Sequence, residues 1–248
     1  TLAMGVGVVV GDQNVALGAN SGRALTSGAQ NVFVGQDAGL VNTTGTGSVA
    51  IGDGALSHED DHGGSVAIGF QSLKEQNSNA ANFNVAVGYQ SGQETTTGIR
   101  STIVGGKAGV AITSGSDIVA IGYNAGLSAT TAVSSVIIGS FAGDALTIGN
   151  FNVAVGHKAL STSVDGDQNV AIGYLALEDY EGADGEGFNT AIGSQSQAQA
   201  TTGTNNTSLG AFAMGIGVVT GSNNVAIGNA SLQDITAGVH NIAIGREA

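Results

Sequence analysis

The sequence predicts an all-β protein, a parallel β-roll or β-solenoid of about fourteen 17-residue coils running as one continuous array over residues 1–248. Three observations carry that expectation. A phrase of the form Asn-Val-Ala-Ile-Gly recurs fourteen times, with its glycine at 18, 35, 52, 69, 88, 105, 122, 139, 156, 173, 193, 210, 228 and 245. Ten of the thirteen intervals are 17 residues and the others are 19, 20 and 18, the signature of a repeat architecture. Each phrase is a short β-branched run closed by Gly, which reads as a strand, and no 3.6-residue apolar period occurs anywhere, so no helix is expected.

The columns of the repeat justify each element in turn. Three residues before the glycine stands Val, or Thr102, Thr190, Thr207 or Ile242; one residue before it is always Val, Ile or Leu. Between them lies mostly Ala, with Phe33, Ile103, Ile137 and Ser208 as exceptions. Successive strand residues face opposite ways, so the Val and Ile columns share one face and Ala lines the other. The expectation is that the large aliphatics point inward and that Ala forms the outer strip. After the strand, Ala or Ser always stands three residues past the glycine and Gly or Leu usually follows it, marking a corner. Four residues before the glycine, Asn occurs in nine repeats and Ser in four; Asn can bond its own turn and stack along the axis. A second glycine seven residues before the first occurs in ten repeats, from Gly11 to Gly238, where a tight turn needs it. Each unit therefore reads as two short strands and two turns, and thirteen intervals at about 4.8 Å give a rod roughly 60 Å long.

Composition narrows the classes. The chain has 42 Gly, no Pro, no Cys and no Trp, only 4% aromatic residues, and 6 Lys and Arg against 19 Asp and Glu, a net charge of −13. Zero Cys removes disulfide scaffolds, iron–sulfur clusters and thiol chemistry. The acidic balance repels a phosphate backbone, so no nucleic acid is expected as a partner. An apolar fraction of 42% excludes a disordered chain, whereas few aromatics argue against a thick globular core. A solenoid that thin buries little per residue and is marginal alone; a continuous Ala strip would let another chain approach closely, which predicts a parallel homotrimer.

The phrase Asn-Val-Ala-Ile-Gly-x-x-Ala, verbatim at Asn169–Ala176 and closely at Asn84–Ser91, resembles the head repeats of YadA-like trimeric autotransporter adhesins and related phage tail-fibre and bacterial surface-fibre repeats. The resemblance spans the whole chain. It implies a trimeric, left-handed parallel β-roll, an extracellular, cell-surface or virion location, and a glycan or protein receptor. The adhesin repeat is nearer 14 residues than 17, which favours the fibre relatives. Thr1–Val9 echoes Ala211–Val219 and the chain ends within a repeat, the expectation for a piece of a longer fibre. No signal peptide, membrane span or lipidation motif is present.

Candidate sites are few. His58, Glu59, Asp60, Asp61 and His62 place two imidazoles around three carboxylates, donors suited to a divalent cation, against the simpler reading of a solvated polar loop. A second acidic loop, Glu178 to Glu186 with Tyr180, could bind Ca²⁺ or display a ligand contact, or be a plain surface insertion. Asp165 and Asp167 suggest a glycosidase pair but occupy the recurrent turn. His157 and His240 have no nucleophile at a telling spacing, and Gly105-Gly106-Lys107 belongs to the repeat and precedes no helix. Ile51–Ala55 matches a hexapeptide acyltransferase phrase, yet Arg23, Ser57, Lys74 and Gln93 break the next hexad. A Thr column eight residues past the glycine, Thr26 and Thr43 among it, raises ice or crystal binding. Phe83, Phe151 and Phe188 precede the Asn column, and Phe70, Tyr89, Tyr123 and Tyr174 follow the core glycine, offering platforms for sugar rings or plugs between subunits. The expected function is an adhesive, structural fibre segment with no cofactor and no catalysis; the alternatives are a monomeric solenoid binding a glycan or crystalline surface, including ice, and an enzyme scaffold.

Overall fold

The computed structural model describes residues 11–182 and 185–248. Its regular structure is fourteen three-residue strands, with no helical residue among those described. They are β1 (Val15–Leu17), β2 (Val32–Val34), β3 (Val49–Ile51), β4 (Val66–Ile68), β5 (Val85–Val87), β6 (Thr102–Val104), β7 (Val119–Ile121), β8 (Val136–Ile138), β9 (Val153–Val155), β10 (Val170–Ile172), β11 (Thr190–Ile192), β12 (Thr207–Leu209), β13 (Val225–Ile227) and β14 (Ile242–Ile244). The chain divides into two compact units after Ala120. In the first, β1 to β6 pair parallel in chain order with like positions opposed, as Val15 with Val32 and Ala16 with Phe33. In the second, β8 to β14 do the same, Ala171 facing Ala154 and Ala191. This is the predicted parallel β-solenoid.

One strand, not two, forms per coil. The second wall is joined coil to coil by bonds such as Thr26 N–H to the Thr43 carbonyl (2.9 Å), with isolated bridges only at Asp167–Gly187 and Ala200–Val219 among the described residues. The physical reason is the backbone: among the described residues 32 non-glycine residues carry a positive φ, in columns five before, two after and four after the core glycine. Gln30, Asp37 and Leu56 are examples, at +60°, +55° and +51°. A left-handed residue interrupts an extended run, and each costs about 1–2 kcal/mol against the right-handed basin. The coil retains them because each fixes a corner and sends its N–H to a neighbouring coil, Gln30 to the Asp12 carbonyl at 3.0 Å and Leu56 to that of Ser72 at 3.0 Å.

The faces are the reverse of the expectation. Ala50, Ala67, Ala86, Ala154, Ala171 and Ala226 are fully buried, while the flanking Val and Ile point outward, most of them half-buried and some exposed, as Ile51 at 37% and Ile242 on the last strand at 74%. The mid-strand side chain points into a narrow interior whose opposite wall reaches the strand backbone: Ser21 Oγ donates to the Phe33 carbonyl at 2.8 Å and Ser72 Oγ to that of Ala86 at 3.1 Å. Side-chain volumes compensate around the coil. Where mid-strand is Ala, as at Ala50, Ala67, Ala154 and Ala171, the buried residue four past the glycine is Leu56, Leu73, Leu160 or Leu177. Where it is Phe33 or Ile103, that column is Gly39 or Gly109, and a Cβ at Gly39 would sit 2.7 Å from the Phe33 ring; Ala86 also has a glycine there, Gly92, where a Cβ would lie 2.9 Å from Ile103 of the next coil.

Two further columns close the structure. A Cβ on the core glycine would lie 2.2–2.6 Å from the next coil's glycine carbonyl oxygen wherever a next coil follows, as for Gly88 on Gly105, and its φ is near +135°. Only Gly fits. The Asn column is a buried ladder: Asn169 N–H donates to Asn152 Oδ1 (2.9 Å), Asn189 N–H to Asn169 Oδ1 (3.1 Å) and Asn189 Nδ2 to the Gly203 carbonyl (2.9 Å). Each amide thus satisfies backbone groups that would otherwise be orphaned.

Candidate functional site

The sheet's outer face is apolar within each unit. Every strand contributes two aliphatic or Thr side chains to it, and Val15, Leu17, Ile172, Leu209 and Ile244 are exposed. No side chain of the same coil covers them, since the interior is filled from the other face. This surface went unrecognised in sequence because strand alternation says that neighbours oppose without saying which side is inside.

The segment from His58 to His62 is scattered by the fold. Glu59 is 1% exposed, and its carboxylate accepts from the His62 N–H (3.0 Å), Gln76 Nε2 (3.1 Å) and Asn82 Nδ2 (2.5 Å). Burial pushes its pKa above the ordinary carboxylate value, with those hydrogen bonds pulling the other way. His58 Nδ1 instead faces outward, 3.0 Å from the Lys74 carbonyl and 3.1 Å from Glu75. Asp61 Oδ1 accepts the Thr43 hydroxyl at 2.8 Å, and Asp60 gives its carbonyl to the same hydroxyl at 3.0 Å. Among the described residues no group of three or more His, Asp or Glu is arranged to hold a metal ion. The expected five-residue metal site is therefore not assembled. What forms instead is an interior polar cluster, with Gln76 Nε2 also on Ser65 Oγ (3.0 Å) and Asn84 Nδ2 on Gln76 Oε1 (2.8 Å).

In the second acidic loop Tyr180 is fully buried and fills its coil, with glycines 166 and 182 making room, while Asp179, Glu181 and Glu186 stay exposed. Burial and the Glu186 charge push its phenol up to about 12. Glu178 pairs with Lys158 at 3.5 Å, and Asp184 lies outside the described residues, as does the Thr1–Val9 echo. Asp165 and Asp167 serve the turn, accepting from the Thr147 hydroxyl (3.1 Å) and the Asn150 N–H (2.5 Å). His240 stands exposed in the left-handed column, and Lys107 holds a corner by its N–H to the Tyr89 carbonyl at 2.8 Å. The Thr column is explained internally: the hydroxyls of Thr26, Thr43, Thr96 and Thr147 each donate to the next coil's backbone carbonyl at 3.0–3.1 Å.

The aromatics divide into two groups. Tyr123, Phe141, His157 and Tyr174 form a ladder on consecutive coils, at centroid spacings of 5.5, 6.2 and 5.7 Å, and Phe70 stacks on Tyr89 at 5.4 Å. Phe70–Tyr89 and His157–Tyr174 are face-stacked, whereas Tyr123–Phe141 and Phe141–His157 meet edge to face. Phe83 and Phe188 differ, because each borders a concavity. The first, about 380 Å³, is lined by Thr44, Thr46, Asp61, His62, Gly63, Gly64, Ala81 and Phe83. The second, about 200 Å³, is lined by Gly185, Glu186, Gly187, Phe188, Thr204 and Asn205. No helix among the described residues is long and apolar enough to cross a membrane. No protein-family model matches the chain, and no curated protein matches it.

Proposed function

We propose that this chain is a structural and adhesive segment of an extracellular fibre on a cell surface or virion, assembled as a parallel homotrimer in which the outward Val and Ile columns pack between chains. The observation that carries the reading is that outward face: two side chains per strand, aliphatic except at Thr102, Thr190 and Thr207, half-buried to exposed and pointing away from the chain's own interior. A contiguous exposed apolar surface of this kind marks an interface more often than a solvated wall. The in-register stacking of one short coil on the next supplies stiffness, and the resemblance of the repeated phrase to adhesin and fibre repeats points the same way. Loops between repeats present the variable surface for attachment to a glycan or protein receptor. No reaction is assigned to the chain.

Sedimentation equilibrium tests the assembly. The expected mass is three times the 24.2 kDa of the chain, and Ile68→Glu together with Val85→Glu, both in the outward columns, shifts it to monomer. A wild-type monomer that stays folded on heating would overturn the trimer.

A further inference from the structure

We propose that the concavities beside Phe83 and Phe188 are two binding sites for neutral hexopyranose units of a glycan. The inference deepens the attachment role above, which supplies its context.

The two sites lie in separate units of the chain and share one composition. Each joins an exposed Phe, one carboxylate and Thr hydroxyls to a second planar polar side chain: Phe83, Asp61, Thr44 and His62 in one, Phe188, Glu186, Thr204 and Asn205 in the other. The ring of each lies in one of the two largest departures from the 17-residue spacing, Phe83 in the 19-residue interval ending at Gly88 and Phe188 in the 20-residue interval ending at Gly193. Phe151 occupies the same column in an ordinary 17-residue repeat, is 56% exposed, and lines neither concavity.

The chemistry selects the ligand. One side of the Phe83 ring rests on Gly64, where a Cβ would lie 3.0 Å from two ring carbons, yet the residue remains 61% exposed. An open aromatic face carries negative charge density and suits the C–H face of a pyranose. The polar groups around it match vicinal hydroxyls: a carboxylate only accepts, whereas Thr both donates and accepts. Asp61 spends Oδ1 on the Thr43 and Thr44 hydroxyls, and its second carboxylate oxygen is the acceptor offered to a sugar hydroxyl. Volumes at and below the low end of the roughly 300–1,000 Å³ typical of drug-sized ligands fit one or two rings. A net charge of −13, with a carboxylate in each site, turns away acidic sugars.

The test is saturation-transfer NMR on the intact chain with methyl glucopyranoside, galactopyranoside and mannopyranoside, and with tetramethylammonium as a cationic probe. The variants are Phe83→Asn and Phe188→Asn, alone and combined; the column already holds Asn205 and Asn223 in left-handed geometry, so the fold is retained. At least one hexopyranoside is expected to give a signal that each single variant about halves, that the double variant lowers tenfold or more, and that Phe151→Asn leaves unchanged. No signal with any hexopyranoside, survival of the signal in the double variant, loss on Phe151→Asn, or a response to tetramethylammonium alone would each overturn the proposal. The signal is read per chain on whatever assembly exists. A monomeric mass with the signal intact defeats only the trimer; a trimer without the signal defeats only the sugar sites.

Discussion

At the scale of single residues, glycines that look alike in sequence do two different jobs. Gly88 has a φ of +138° and no space, since a Cβ would sit 2.5 Å from the carbonyl oxygen of Gly105. Gly54 has a φ of +66° and would place a Cβ 3.4 Å from the flexible Gln71 side chain, in a column where other coils carry Asn20 and Asp37. Gly88→Ala is therefore expected to cost about 3 kcal/mol or more, because both the backbone and the neighbouring coil must move. Gly54→Ala is expected to cost about 1 kcal/mol, the left-handed penalty alone. Urea midpoints of the two variants check the ranking. The recurrence of Gly88's column was visible in the sequence; the many non-glycine left-handed positions were not, because Gln, Lys, Leu and Phe carry no turn signal of their own.

At the scale of the coil, the position of every strand was legible and its orientation was not. The phrase marks Val15–Leu17 and each later strand to the residue, since a β-branched run closed by Gly has one reading. Which face is inside depends on the width of the coil, and the available signal was volume compensation: Ala50 with Leu56, Phe33 with Gly39. The scattering of the His58–His62 side chains has the same origin. Glu59 stands seven past its glycine, in the column that Leu25, Ile112 and Leu146 fill elsewhere, so it is drawn into the interior and its neighbours are not. That buried carboxyl has a measurable consequence. Its folded pKa is raised, so the folded state holds the proton more tightly than the unfolded one; its contribution is fully present below the unfolded value near 4.5 and is lost as pH rises through the folded value. Other carboxylates confuse the total, so the readout is the difference between wild type and Glu59→Gln in urea stability across that window. Wild type is expected to lose stability relative to the variant as pH rises, and a constant difference would show that Glu59 titrates normally.

At the scale of the whole molecule, nearly every contact links a residue to one a single repeat away. Removing residues 89–105, one full period, brings Gly106 after Gly88 and gives each severed bond an equivalent: the Asn77 N–H passes from the Thr96 carbonyl to that of Thr113, and Asn84 Nδ2 from Gly98 to Gly115. That variant is expected to fold with an unchanged far-ultraviolet circular dichroism spectrum per residue. Removing residues 89–97, about half a period, leaves a coil too short to close and is expected to melt at least 10 °C lower. Equal melting of the two would contradict the periodic origin of the stability.

The glycine stack carries that periodicity into heredity. Because each core glycine demands only another glycine one coil away, unequal crossing-over between two copies of the phrase yields a protein whose surviving junctions are all familiar ones. Length can then drift by whole repeats, in steps of about 4.8 Å, without any new packing problem to be solved.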